Sequence, residues 1–133
     1  KDDSSARPDF SILIYPVISM EEGVTHHGSK ENLLGKTASA DLISKYSNEK
    51  EVNENTPPTF LVHATDDLAV PVENSINYYL ALKKNKVPAE MHLYQNGGHG
   101  FGFGIEGTNT DWPIACQSWL VANKIIPDLK KIK

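Results

Sequence analysis

The chain has 133 residues, with Lys+Arg 13 against Asp+Glu 17, a formal net charge of −4, and 39% hydrophobic and 23% charged residues. That is the composition of one soluble globular domain. The acidic balance speaks against sequence-independent nucleic-acid binding, no apolar run approaches the roughly 18–20 residues of a membrane span, and the single cysteine, Cys116, excludes an internal disulfide or a multi-cysteine zinc site.

Residues 1–9 form a polar lead-in with no apolar stretch of the secretory kind. The first residue is Lys1, so a processed product or a fragment is expected. The compartment stays open, with a soluble periplasmic or secreted product compatible with the reading. Phe10 to Ile18 (FSILIYPVI) is nearly unbroken apolar sequence and predicts a strand covered on both faces, the mark of a parallel sheet. Residues 20–56 are polar, with helical pieces around Glu31–Leu34 and Ala40–Tyr46 and Ser29 as the cap of the first. This stretch reads as an excursion over the sheet, near its active edge.

Pro57-Pro58 ends the excursion, and Thr59 to Ala64 (TFLVHA) predicts a second buried strand. A helix over 73–84 follows, with Ile76, Tyr79 and Leu80 as its inner face. Glu90 to Tyr94 is the third strand, with Met91 and Leu93 on one side. After the glycine-rich Gly97–Gly104 comes a helix over 112–123. Its apolar stripe is Trp112, Ala115, Cys116, Trp119 and Leu120, its cap Asp111, and Pro113 stands in its first turn. Strands alternating with helices predict an α/β fold, parallel strands with flanking helices.

The second strand, its helix and the third strand form one βαβ unit, so their following loops open at the same sheet edge. One loop carries Asp66 and Asp67, the other Gly97-Gly98-His99-Gly100. That edge is where open α/β sheets bind ligands. A carboxylate beside an imidazole fixes the tautomer at Nδ1 and steadies the imidazolium formed when Nε2 takes a proton. His99 is therefore the candidate base. Asp66 and Asp67 compete for the acid, each also readable as a turn residue.

The segment His63-Ala-Thr-Asp-Asp67-Leu-Ala-Val-Pro71 resembles the acid loop of α/β-hydrolases, commonly H-G-x-x-D-x-x-V-P, with Ala64 where glycine is common. Gly97-Gly98-His99-Gly100-Phe101 resembles their histidine loop. Within that superfamily, Ile14–Ser19, Glu31–Gly35 and Pro71–Ser75 are similar to acetylxylan-esterase-like and dienelactone-hydrolase-like carboxylesterases, some of which carry a xylanase label. The resemblance runs from about Pro8 to Leu120. It selects Asp67, four residues before the Val-Pro proline, and implies a cofactor-independent ester hydrolase acting by a Ser-His-Asp triad on a small-molecule or carbohydrate ester, with plant-polysaccharide acyl groups as the expected substrate.

One departure is large. The family's nucleophile lies upstream of the acid in G-x-S-x-G, and the chain contains no such motif. The run from Phe10 resembles the strand that follows the nucleophile helix. Residues 1–133 therefore read as a partial domain, the C-terminal half of an α/β-hydrolase, with Asp67 and His99 present and the serine elsewhere. Alone the chain is expected to be inactive. Its open sheet edge calls for an N-terminal half or a second copy. Ser29, Ser75 and Ser118 lack the strand–turn–helix setting of a replacement nucleophile.

Two other functions compete. The chain could be an inactive fragment acting only in association, or a metal-dependent hydrolase using His26, His27 and Asp67. Among the remaining groups, His63 reads as a satisfied core residue and His92 as facing outward or touching a helix. Cys116 reads as inert core. Phe101, Phe103 and Trp112 read either as a substrate wall or as ordinary packing.

Overall fold

The computed structural model describes residues 6–128. Its elements are β1 (Ser11–Ile14), α1 (His27–Leu34), α2 (Ala40–Tyr46), α3 (Asn48–Glu51), β2 (Thr59–Ala64), α4 (Glu73–Lys84), β3 (Ala89–Tyr94) and α5 (Trp112–Ala122). The strands form one sheet in the order β1-β2-β3, parallel throughout. The expected α/β class, and the adjacency of β2 and β3, hold.

β2 is buried at every residue, because its side chains alternate between two covered faces. Phe60, Val62 and Ala64 meet Trp112, Cys116 and Trp119 of α5, together with Phe101. Leu61 meets Leu82 of α4 and Val87 on the other face. His63 shares the α4 side by the same alternation.

Three expectations need correction. The strand predicted over Phe10–Ile18 stops at Ile14. Tyr15 has φ 40° and Pro16 carries no N–H, so the ladder cannot continue; the amides of Ile18 and Ser19 instead donate to Asn74 Oδ1 on α4, each at 2.9 Å. The inner face of α4 keeps Tyr79 of the expected Ile76, Tyr79 and Leu80 but not Leu80, which is 54% exposed. The buried side is Ser75, Tyr78, Tyr79 and Leu82, again at i, i+3, i+4 and i+7. A buried serine inside the stripe hid it from a count of apolar residues. In β3, Leu93 is exposed, whereas Met91 packs beside Leu61 and Leu82.

The caps also differ. Ser29 lies inside α1, and its amide donates to Nδ1 of His26, which is the true cap, at 3.2 Å. Asp111 stands at the N-cap position of α5 but makes no side-chain cap bond. Its carboxylate accepts the Tyr94 hydroxyl at 2.7 Å instead. The excursion over 20–56 carries α1, α2 and α3 and is tied to the stretch after β1. Met20 N–H donates to the buried Ser47 Oγ at 3.0 Å, and Asn48 N–H to the Ile18 carbonyl at 3.1 Å.

Candidate active site

Register puts the two loops together. Ala64 and Tyr94 are paired partners at the ends of β2 and β3. Thr65, the first residue beyond β2, bonds the Tyr94 carbonyl with both its amide (2.7 Å) and its hydroxyl (2.9 Å). The acid loop and the histidine loop thus leave the sheet side by side.

Asp67 is buried, its side chain fully so, and reaches His99: Oδ2 accepts Nδ1–H at 2.8 Å. A carboxylate only accepts, so Nδ1 carries the proton and neutral His99 keeps Nε2 as an acceptor. The His99 side chain stays 39% exposed. The second carboxylate oxygen, Oδ1, accepts the amides of Ala69 (2.9 Å) and Val70 (2.8 Å). Burial pushes the Asp67 carboxyl up, yet the Val70 amide, the His99 ring and the Ala69 amide together hold it below the ordinary carboxylate range.

Asp66 points elsewhere, but it has a task. Its Oδ1 accepts the Gly98 amide at 2.8 Å, which ties the acid loop to the residue before His99. Gly98 has φ 59°, a left-handed backbone that glycine takes without strain. Gly97 is needed for close approach: a Cβ there would stand 2.6 Å from Asn109 Nδ2 and 3.1 Å from Ala64 Cβ.

Two further neighbours were not singled out for the site from sequence. Tyr15, at the end of β1, sets its ring edge-on to His99 with centroids 4.8 Å apart, and to Phe101 at 4.7 Å. His63, fully buried, brings Nε2 to within 3.2 Å of Asp67 Oδ2 and 3.1 Å of the Val70 carbonyl. Its other ring nitrogen lies 2.8 Å from Ser75 Oγ. The expectation of a satisfied core histidine holds. Its spacing of four before Asp67 was the available signal.

The other candidates go elsewhere. His26 caps α1, and His27 lies 4.0 Å from Glu22. Neither is brought to Asp67, and among the described residues no group of three or more His, Cys, Asp or Glu could hold a metal. Ser75 bonds His63, Ser29 bonds His26, and Ser118 bonds the Ile114 carbonyl, so none of the three serines faces His99. Phe101 and Trp112 are core residues; Phe103 is 83% exposed and stacked on Trp112. His92 lies against the Phe60 ring at 5.2 Å and bonds Glu90 at 2.8 Å. Cys116 is buried, and burial pushes its thiol up, as suits inert core. No helix of the described residues is long and apolar enough to cross a membrane.

Several known proteins are similar to this chain. An acetylxylan esterase of Xylanibacter ruminicola is 47% identical over 74% of this chain and 21% of its own length. An endo-1,4-beta-xylanase B of Butyrivibrio fibrisolvens is 41% identical over 74% of this chain and 15% of its own. Among solved structures, an acetyl ester-xyloside bifunctional hydrolase from Caldicellulosiruptor lactoaceticus has TM-score 0.86 at 41% identity, covering 90% of this chain and 44% of that one. The carboxylesterase Cest-2923 of Lactobacillus plantarum has TM-score 0.76 at 24% identity, over 96% and 49%, a likeness of fold alone. The chain spans less than half the length of each of these proteins. Its fold is part of an α/β-hydrolase fold, the superfamily that the two loops resemble, and the chain is similar to the acetylxylan-esterase-like type. The family model of the prolyl oligopeptidases matches residues 12–123, from β1 through α5 and across both loops, and the chain belongs to that family.

Proposed function

We propose that this chain supplies the acid and the base of a carboxylic-ester hydrolase whose nucleophilic serine lies on polypeptide outside these 133 residues. The bond from His99 Nδ1–H to Asp67 Oδ2, at 2.8 Å between loops of adjacent parallel strands, carries the reading. In this scheme His99 Nε2 takes the serine proton as Oγ attacks the ester carbonyl carbon. Asp67 holds the imidazolium that results. The proton then passes from His99 to the departing alcohol, leaving an acyl-enzyme. A water deprotonated by His99 releases the acid and restores the serine. No cofactor is needed.

The substrate we favour is an acetyl or similar short acyl ester on a plant-polysaccharide sugar. The names of the esterase relative at 47% identity and of the acetyl ester-xyloside hydrolase support it. An N-terminal half, or a second copy, would cover the free side of β1.

The test is made on the longer protein that carries the chain. It should contain G-x-S-x-G upstream of Lys1 and hydrolyse an activated acetyl ester, with an acyl-enzyme seen as a burst or a mass increment. His99→Ala should lower kcat by several orders of magnitude, because base and serine act as a unit. The isolated chain should not turn over. Cleavage of glycosidic bonds without ester hydrolysis would overturn this reading.

A further inference from the structure

We propose that His63, backed by Ser75, is a positioning residue for Asp67: it fills the second acceptor site of the carboxylate oxygen that serves His99 and clamps the turn that presents it. The inference rests on the reading of Asp67 and His99 as acid and base.

The hydrogen-bond ledger of Asp67 carries the argument. An ionised carboxylate offers about four acceptor sites. The amides of Ala69 and Val70 occupy two on Oδ1, and His99 Nδ1–H occupies one on Oδ2. The fourth lies toward His63 Nε2, at 3.2 Å. That nitrogen faces two acceptors at once, Asp67 Oδ2 and the Val70 carbonyl at 3.1 Å, so it carries a proton. Neutral His63 then accepts at Nδ1, and the hydroxyl 2.8 Å away on Ser75 donates to it. Burial pushes the His63 imidazole below its ordinary value, ahead of the opposite pull of Asp67, and so favours this neutral form.

The same ring closes a turn. Val70 donates its amide to Asp67 Oδ1 and offers its carbonyl to His63. Asp67 and Val70 are thus bound to each other and both face one imidazole. His63 and Ser75 are fully buried, one on the central strand and one on the inner face of α4, so the clamp is anchored in the core. The titratable neighbours of the Asp67–His99 pair are His63, Asp66 on the acid loop and Tyr15 from the end of β1; α4 adds the uncharged Ser75.

The experiment uses the longer protein and follows kcat/KM for an activated acetyl ester against pH, with thermal melts to check folding. His63→Leu removes the donor with little change of volume. The Asp67 carboxylate then becomes more basic and holds the imidazolium more strongly. The acid limb of the profile, which belongs to the Asp67–His99 pair, should move up by about one pH unit. Lost orientation should lower kcat by roughly tenfold, with KM nearly unchanged. His63→Gln keeps an N–H donor at similar reach and should return the limb most of the way. If His63→Leu does not melt cooperatively, Ser75→Ala decides. It should move the limb in the same direction by less, and an unmoved limb overturns the proposal. In folded protein, an unmoved limb in His63→Leu, or a His63→Gln no better than His63→Leu, overturns it too. Asp67→Asn separates the two levels. If that variant hydrolyses normally, the reading of the site fails and the inference falls with it. If it is inactive while His63→Leu leaves the limb in place, the inference falls alone.

Discussion

Asp67 takes donors on both oxygens, and they come from three parts of the fold. The amides come from its own turn, His99 from the loop after β3 and His63 from the end of β2. Substitutions here should act by geometry and charge more than by volume. In the longer protein, Asp67→Asn should reduce kcat on the order of 10⁴-fold, because an amide donor facing Nδ1 selects the wrong tautomer of His99. Steady-state kinetics read this directly, and retention of more than a tenth of the rate would contradict it. Asp66 provides the contrast. Asp66→Asn keeps an oxygen that can accept the Gly98 amide, so it should change kcat little. Asp66→Ala loses that bond and should cost roughly twofold to tenfold in kcat through a looser histidine loop.

At the scale of elements, α5 and α4 divide the labour of covering β2. The α5 side is the larger apolar cluster, with Phe60, Trp112, Cys116 and Trp119 all buried. Trp119→Ala should therefore destabilise the chain by about 3–5 kcal/mol, seen as a lower denaturant midpoint at unchanged slope. Leu80→Ala on α4 should shift it by no more than about 0.5 kcal/mol, since Leu80 is 54% exposed. An equal loss from the two would return Leu80 to the inner face and contradict the packing. The α4 interface spends part of its area on Asn74 and Ser75, which bond the stretch after β1 and His63. It is the side of the sheet that organises the site.

For the molecule as a whole, acid should act through the buried groups of the site. His63 is held below its ordinary value by burial, so the unfolded chain binds a proton that the folded chain resists. That contribution is full above about pH 6.5, the unfolded value, and is lost as pH falls from there toward the folded one. Asp67 is also depressed, though burial alone would raise it. Its contribution is present above about pH 3.9 and fades as pH falls below that. Melting temperature should therefore decline in two stages on acidification, and His63→Gln should abolish the upper one. A melting temperature that rises between about pH 6.5 and 5 would contradict the neutral buried His63.

Much of this was legible in the amino-acid order. β2 and α4 fall where their patterns end, because Pro57-Pro58 and the apolar run bound the one and a polar-to-apolar change bounds the other. The α5 stripe is a complete helical repeat of apolar residues, a local signal that needs no partner to be read. The nearness of Asp67 and His99 was also legible, since a right-handed βαβ crossover leaves both loops at one edge. Tertiary structure alone decided what depends on polar atoms meeting in three dimensions. Ser75 belongs to an inner face because His63 receives its hydroxyl, Asn74 because the amides after β1 need an acceptor, and Asp111 leaves its helix uncapped because Tyr94 bonds it. Periodicity counts apolar side chains along one element, whereas a buried polar residue is placed by a partner on another element, and no spacing within the chain records which partner that is.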